Sequence, residues 1–191
     1  MLTPTLILKG YRRGIFPMAT NKEGHIGWFS PDPRALIPLD ERFHVPHGLK
    51  RALRKRGFEV TVDTDFARVI RACATAHGDT WISKEIMVNY CELHRLGYAH
   101  SIEVRSQSEL AGGLYGVAIG GAFFGESMFH YAPDASKCAL VSLVERLRTR
   151  NFLLLDTQWM TPHLERFGAF QIPKEQYLCL LEQALSLERT F

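Results

Sequence analysis

Glu126, Asp156 and Gln158 are the residues of this chain whose types and neighbours point to chemistry. Glu126 lies in Gly125-Glu126-Ser127-Met128-Phe129, and Leu155-Asp156-Thr157-Gln158 follows about thirty residues later. Both segments read as buried strands, yet they carry acidic or amide groups where packing alone would select Val or Leu. Leaving such a group unsatisfied in an apolar interior costs about 1–3 kcal/mol. Strand alternation predicts Phe124, Glu126 and Met128 on one face, a carboxylate between two bulky apolar side chains. Leu114 on the preceding strand and Leu140 on the following helix would complete an apolar pocket beside it. The competing reading is an ordinary ion pair between Glu126 and an arginine at the sheet edge. Asp156 and Gln158 are predicted to share a face at the carboxyl end of a strand, where ligands of open α/β sheets commonly sit. Capping a helix is not needed of Asp156, because Thr161-Pro162 already supplies a cap and a first turn.

Other motifs carry less. Gly125-Glu126-Ser127-Met128-Phe129 lacks the last glycine of a nucleophile elbow, which argues against a serine nucleophile. The glycines from Gly112 to Gly125 follow strand and hairpin spacing rather than a phosphate-cradling loop that opens a helix. His44 and His47 flank Pro46 without a nearby Cys or acidic ligand, so no metal site is expected. Asp134-Ala135-Ser136-Lys137 reads first as a helix N-terminus. Trp81 precedes a helix and is either packing or a stacking platform, since base–aromatic stacking is worth about 1–3 kcal/mol per base.

The elements that must position these groups follow from periodicity and caps. A helix is expected over residues 3–14 with Thr3 as cap, then short strands and turns over 24–38. A basic helix opened by Pro46 runs to Arg56. Residues 58–63 alternate as a strand, and helices are expected over 64–76 and 83–96, the second closed by Gly97. Three strands, 100–104, 109–119 and 122–129, surround a Gly120-Gly121 turn. A helix to Arg148, a buried strand 152–156, a short helix after Thr161 and a final helix from Pro173 to about Leu187 complete the order. This is the pattern of a mixed α/β (α+β) core resembling the acetyltransferase-like fold, over residues 57–191, with a small N-terminal lobe over 1–56.

Composition sets the bounds. The 191 residues are 46% hydrophobic and 23% charged, ordinary values for a soluble protein. No apolar run reaches the roughly 18 residues that span a bilayer, and the N-terminus lacks the regions of a signal peptide. The four cysteines never form C-x-x-C. A cytoplasmic protein with reduced thiols and no membrane partner is expected. Net charge is only +3, but Lys50, Arg51, Arg54, Lys55 and Arg56 crowd one short helix whose inner face carries Leu49 and Leu53. That helix is either a solvated surface or a phosphate-contacting patch.

Taken together, these residues resemble the bacterial leucyl/phenylalanyl-tRNA–protein transferase family. The likeness is carried by Tyr11-Arg12-Arg13-Gly14-Ile15-Phe16-Pro17, Trp28-Phe29-Ser30-Pro31-Asp32-Pro33-Arg34, Thr80-Trp81-Ile82 and the run from Leu93 to Glu103. Gly112 to Val117, Phe124 to Phe129, Ala135-Ser136-Lys137 and Leu155 to Gln158 extend it over nearly the whole chain. The resemblance implies transfer of Leu, Phe and less often Met from aminoacyl-tRNA to the N-terminal Arg or Lys of an acceptor protein. The product is thereby marked for degradation by the N-end rule pathway. The resemblance places Asp156 and Gln158 at catalytic positions, with Glu126 assisting. It assigns Leu114, Phe124, Met128 and Leu140 to the pocket for the apolar side chain. Trp81 would meet the terminal adenosine, and Lys50 to Arg56 the acceptor stem. Well-known members of the family carry Trp where this chain has Met18, near the same adenosine, so stacking is expected to rest more on Trp81. The ester to tRNA is already activated, so no cofactor, neither ATP nor coenzyme A, is implied. A coenzyme A-dependent N-acetyltransferase and a non-catalytic tRNA-binding module are the rival classes.

Overall fold

The computed structural model describes residues 1–21, 23–76 and 80–191. Of the loop expected ahead of Trp81, residues 77–79 lie outside that description. The chain opens with helix α1 (Pro4–Tyr11), where the Thr3 hydroxyl accepts from the Leu6 N–H and Pro4 occupies the first turn. It stops short of the expected residue 14 because Gly14 adopts φ +73° and turns the chain. A two-stranded antiparallel hairpin follows, β1 (Phe16–Ala19) with β2 (Ile26–Phe29), and then β3 (Arg34–Ile37). The basic helix α2 (His47–Arg56) ends at Gly57 in the left-handed conformation. Strand β4 (Glu59–Val62) leads to helices α3 (Phe66–Ala76) and α4 (Lys84–Arg95), the latter capped by the Ser83 hydroxyl. Then come β5 (Ala99–Ser106), β6 (Glu109–Ile119), β7 (Ala122–His130) and α5 (Ala135–Thr149). The chain closes with β8 (Leu154–Gln158), the short α6 (Pro162–Glu165), β9 (Phe170–Ile172) and α7 (Lys174–Leu185).

Seven strands form one mixed sheet in the order β4-β5-β6-β7-β8-β3-β9. All its neighbours are antiparallel except β7 and β8. Strand β3 comes from the interval expected for the N-terminal lobe, yet it lies inside this sheet between β8 and β9. One face of the sheet is covered by α1, α3, α4 and α7, through residues such as Ile7, Ile70, Ile86 and Leu181. The other is covered by α5, with Leu49 of α2 at its margin. All four cysteines are free.

Two local departures from regular pairing make the site. The first is a bulge in β7. Tyr115 of β6 faces Ser127 and Gly116 faces Gly125, which leaves Glu126 as the extra, unpaired residue. A bulge resets the side-chain alternation. Phe124 and Glu126 therefore stay on the α1 face, whereas Met128 joins Leu114 and Leu140 on the α5 face. The expectation that Phe124, Glu126 and Met128 share a face is thus corrected. The second departure is that parallel pairing of β7 with β8 stops at Phe124 opposite Asp156. Beyond that point the strands part, and Gln158 ends β8 at φ +60°. A cleft opens between their carboxyl ends.

Candidate functional site

That cleft is a cavity of about 730 Å³. Its wall is mostly apolar and includes Leu114, Met128, Leu140, Leu143 and Leu155. Glu126, Gln158, Thr157 and Ser127 bring polar groups to it, and Trp81, Met18, Phe16 and Trp159 lie on it as well. A large, mainly apolar hollow with a few convergent polar groups is the usual form of a small-ligand site.

Glu126 is the acid on this wall. Tyr11 of α1 donates to Oε1 at 2.6 Å, Tyr90 of α4 donates to Oε2 at 3.3 Å, and Gln158 Nε2 donates to Oε1 at 3.4 Å. Burial pushes the carboxyl up to about 7, against the pull of the two tyrosine hydrogen bonds. The same burial, with Glu126 beside them, raises Tyr11 and Tyr90 far above the usual phenol range, so both remain donors. A carboxyl that changes charge near neutral pH is suited to take and return protons.

Asp156 is differently placed. Its side chain is fully buried and is not on the cavity wall. Arg34 of β3 donates from Nε to Oδ1 at 2.9 Å and from Nη2 to Oδ2 at 2.7 Å, a forked ion pair. Tyr177 of α7 donates to Oδ2 at 2.7 Å, and the Gln158 N–H donates to Oδ1 at 2.9 Å. The Arg34 guanidinium also donates to the Gly14 carbonyl at 3.1 Å and lies 4.4 Å from the Tyr177 ring and 5.0 Å from Phe16. Burial alone would lower the pKa of Arg34, but the Asp156 carboxylate outweighs it and the net shift is upward. Every strong acceptor direction of Asp156 is already used. The geometry lets it fix the backbone of Gln158 and gives it no free side toward the cavity.

The structure therefore brings Glu126, Gln158, Leu114, Met128 and Leu140 together at one cavity, with Met18 and Trp81 on the same wall. Phe124 is not there. It is buried in the layer above, its ring 4.7 Å from that of Tyr11. Lys50, Arg51, Arg54, Lys55 and Arg56 are exposed along α2, with Leu49 turned inward. Arg34, Tyr11, Tyr90 and Tyr177 were given no role by sequence reasoning. Arg34 had a signal: an arginine heading the apolar run Ala35-Leu36-Ile37 must meet a buried anion, and Asp156, inside the apolar strand β8, needs a cation in turn. Among the described residues no His, Cys, Asp and Glu group of three or more is arranged to hold a metal ion. Nor is any helix among them long and apolar enough to cross a membrane.

Sequence models of the leucyl/phenylalanyl-tRNA protein transferase and of its N-terminal domain match residues 36–182 and 1–32. A protein of Akkermansia muciniphila named leucyl/phenylalanyl-tRNA–protein transferase is 55% identical over 186 residues, 96% of each chain. One of the same name from Rubrobacter xylanophilus is 54% identical over 191 residues, 100% of this chain and 98% of that protein. Among solved structures, a ribosomal-protein-alanine N-acetyltransferase from Brucella melitensis biovar Abortus 2308 is similar at a TM-score of 0.43 and 14% identity, over 56% of this chain and 82% of that one.

Proposed function

The chain belongs to the leucyl/phenylalanyl-tRNA protein transferase family, and from that premise we propose that it moves Leu, Phe or less often Met from aminoacyl-tRNA to the N-terminal Arg or Lys of acceptor proteins. Acceptors so extended would enter degradation by the N-end rule pathway. The observation that carries this reading is the cavity between the parted strands β7 and β8, apolar at one side and bordered by a carboxyl that titrates near 7. The leucyl or phenylalanyl side chain would rest among Leu114, Met128 and Leu140, and the terminal adenosine against Trp81 and Met18. The exposed basic face of α2 would receive the acceptor stem through its phosphates.

Glu126 suits the chemical step. The incoming α-amine has a pKa near 7.7–8.0, so proton transfer to a carboxylate of pKa about 7 is uphill by only about 1 kcal/mol. An ordinary glutamate near 4.5 would demand about 4–5 kcal/mol. As nitrogen bonds to the ester carbonyl carbon, Glu126 takes the amine proton. The carbon–oxygen bond to the ribose then breaks, and the same proton is returned to the departing oxygen. Gln158 would hold the amine beside Glu126. Asp156, locked onto Arg34, would serve as a positioning residue that sets the left-handed turn at Gln158. Holding the two reactants together contributes several kcal/mol more.

The test is incubation with Leu-tRNA and peptides that differ only in their first residue, read by mass spectrometry. Peptides starting with Arg or Lys are expected to gain one leucyl residue without ATP or acetyl-coenzyme A. No gain on either, or gain only with acetyl-coenzyme A present, would overturn the reading.

A further inference from the structure

A second hollow adjoins the cavity, and the charges around it are unlike those of the first. It measures about 230 Å³ and lies between α2, the start of α5 and the end of α6. Its floor is apolar, from Leu49, Ala52 and Phe167, and its polar rim is Asp134, Lys137, His163 and Arg166. The two hollows share His163 as a common wall. Asp134 is bridged by Lys137 at 2.6 Å and by Arg56 at 3.6 Å. Arg166 has no ion-pair partner among the described residues. The rim thus carries two cations, Lys137 and Arg166, against the one carboxylate of Asp134, which Arg56 also pairs from outside the lining, and a net positive charge faces the hollow. The buried His163 Nε2 has no hydrogen-bond partner among the described residues. Burial, with Lys137 and Arg166 close by, holds that imidazole below its ordinary pKa. It is therefore neutral at pH 7 and able to exchange hydrogen bonds with an uncharged group.

We propose that this hollow seats the nucleotide immediately upstream of the donor's terminal adenosine, with its phosphodiester against Lys137 and Arg166. The proposal rests on the transferase reading above and deepens it. A single strand running from a stem on α2 into the cavity passes His163, which lines both hollows. The ribose covers the apolar floor while the cations meet the phosphate. The acceptor protein is excluded as occupant by its own chemistry, because a positive hollow repels both an α-ammonium and the side chain of Arg or Lys.

Binding of two unreactive donors by calorimetry tests it. One is adenosine carrying leucine through a 3′-amide, and the other is the same compound extended by a 5′-linked cytidine phosphodiester. The extended donor is expected to bind about threefold to tenfold more tightly, a gain typical of one exposed charge contact. Arg166→Ala, at an exposed position, and Lys137→Ala should each erase the gain and leave affinity for the shorter donor unchanged. Added salt should shrink the extended donor's advantage in the unaltered protein, and neither variant should show that dependence. Equal binding of both donors by the unaltered protein, or variants that weaken both donors alike, would overturn the assignment. The readout is binding, not turnover. A protein that favours the extended donor but transfers nothing therefore contradicts the proposed function and leaves the hollow assigned.

Discussion

Glu126 owes its character to what surrounds it. Its ordinary pKa of 4.5 rises to about 7 because burial disfavours the charged form more than the hydroxyls of Tyr11 and Tyr90 favour it. The folded protein therefore holds a proton between about pH 4.5 and 7 that the unfolded chain has released. Stability should fall by about 3 kcal/mol as pH rises through that window, then level off above 7. Glu126→Gln should abolish that slope in urea denaturation. It should also lower single-turnover transfer about 100-fold and remove the limb of the pH–rate profile that rises near 7. An unchanged profile in the variant would show that another group takes the proton. Asp156 and Arg34 obey a different rule, because each exists to neutralise the other. Asp156→Ala strands a buried guanidinium and should cost about 3–5 kcal/mol. Arg34→Met combined with Asp156→Leu removes both charges and should be less destabilising than the two single changes summed. Additive losses in denaturation would contradict the pairing. At this scale the sequence was informative about type and silent about partner. The polar residues in apolar strands stood out, but whether Asp156 faced a substrate or an arginine depends on a residue 122 positions away.

The elements explain why Glu126 points where it does. The bulge in β7 needs close approach of two strands, and Gly116 supplies it. A Cβ there would stand 2.3 Å from the Phe124 carbonyl oxygen and 2.4 Å from the Phe123 ring. Gly125, its cross-strand partner, has room, with the nearest atom of another element at 3.5 Å. Gly116→Ala should therefore destabilise by about 3 kcal/mol and cut transfer, whereas Gly125→Ala should change stability by less than about 1 kcal/mol. Thermal unfolding of the pair checks this, and equal effects would mean the bulge does not depend on Gly116. Helices and long strands were legible because caps and periodicity are local: Thr3, Ser83 and Gly97 mark ends where they were expected. The bulge was not legible, since an extra residue leaves no mark in a run such as Phe123 to Phe129. Its consequence was the misplacement of Phe124. Strands β1 and β9 also went unread. Each has only three or four residues, too few for a period to declare itself.

For the whole molecule, the organising fact is that β3 carries Arg34 from the first fifth of the chain into the sheet beside β8. The N-terminal segment thereby supplies the cation for Asp156 and, through Tyr11 of α1, a donor for Glu126. Charge is divided in the same spirit. A net +3 conceals a basic helix and a mainly apolar cleft, which suits a ligand with phosphates at one end and a hydrocarbon side chain at the other. The most direct measurement is a crystal structure with leucine joined to 3′-amino-adenosine by an unreactive amide. The leucyl side chain is predicted to lie among Leu114, Met128 and Leu140, the amide carbonyl between Glu126 and Gln158, and the adenine against Trp81 and Met18. A compound bound outside the cleft, or seated with its carbonyl remote from Glu126, would contradict the account.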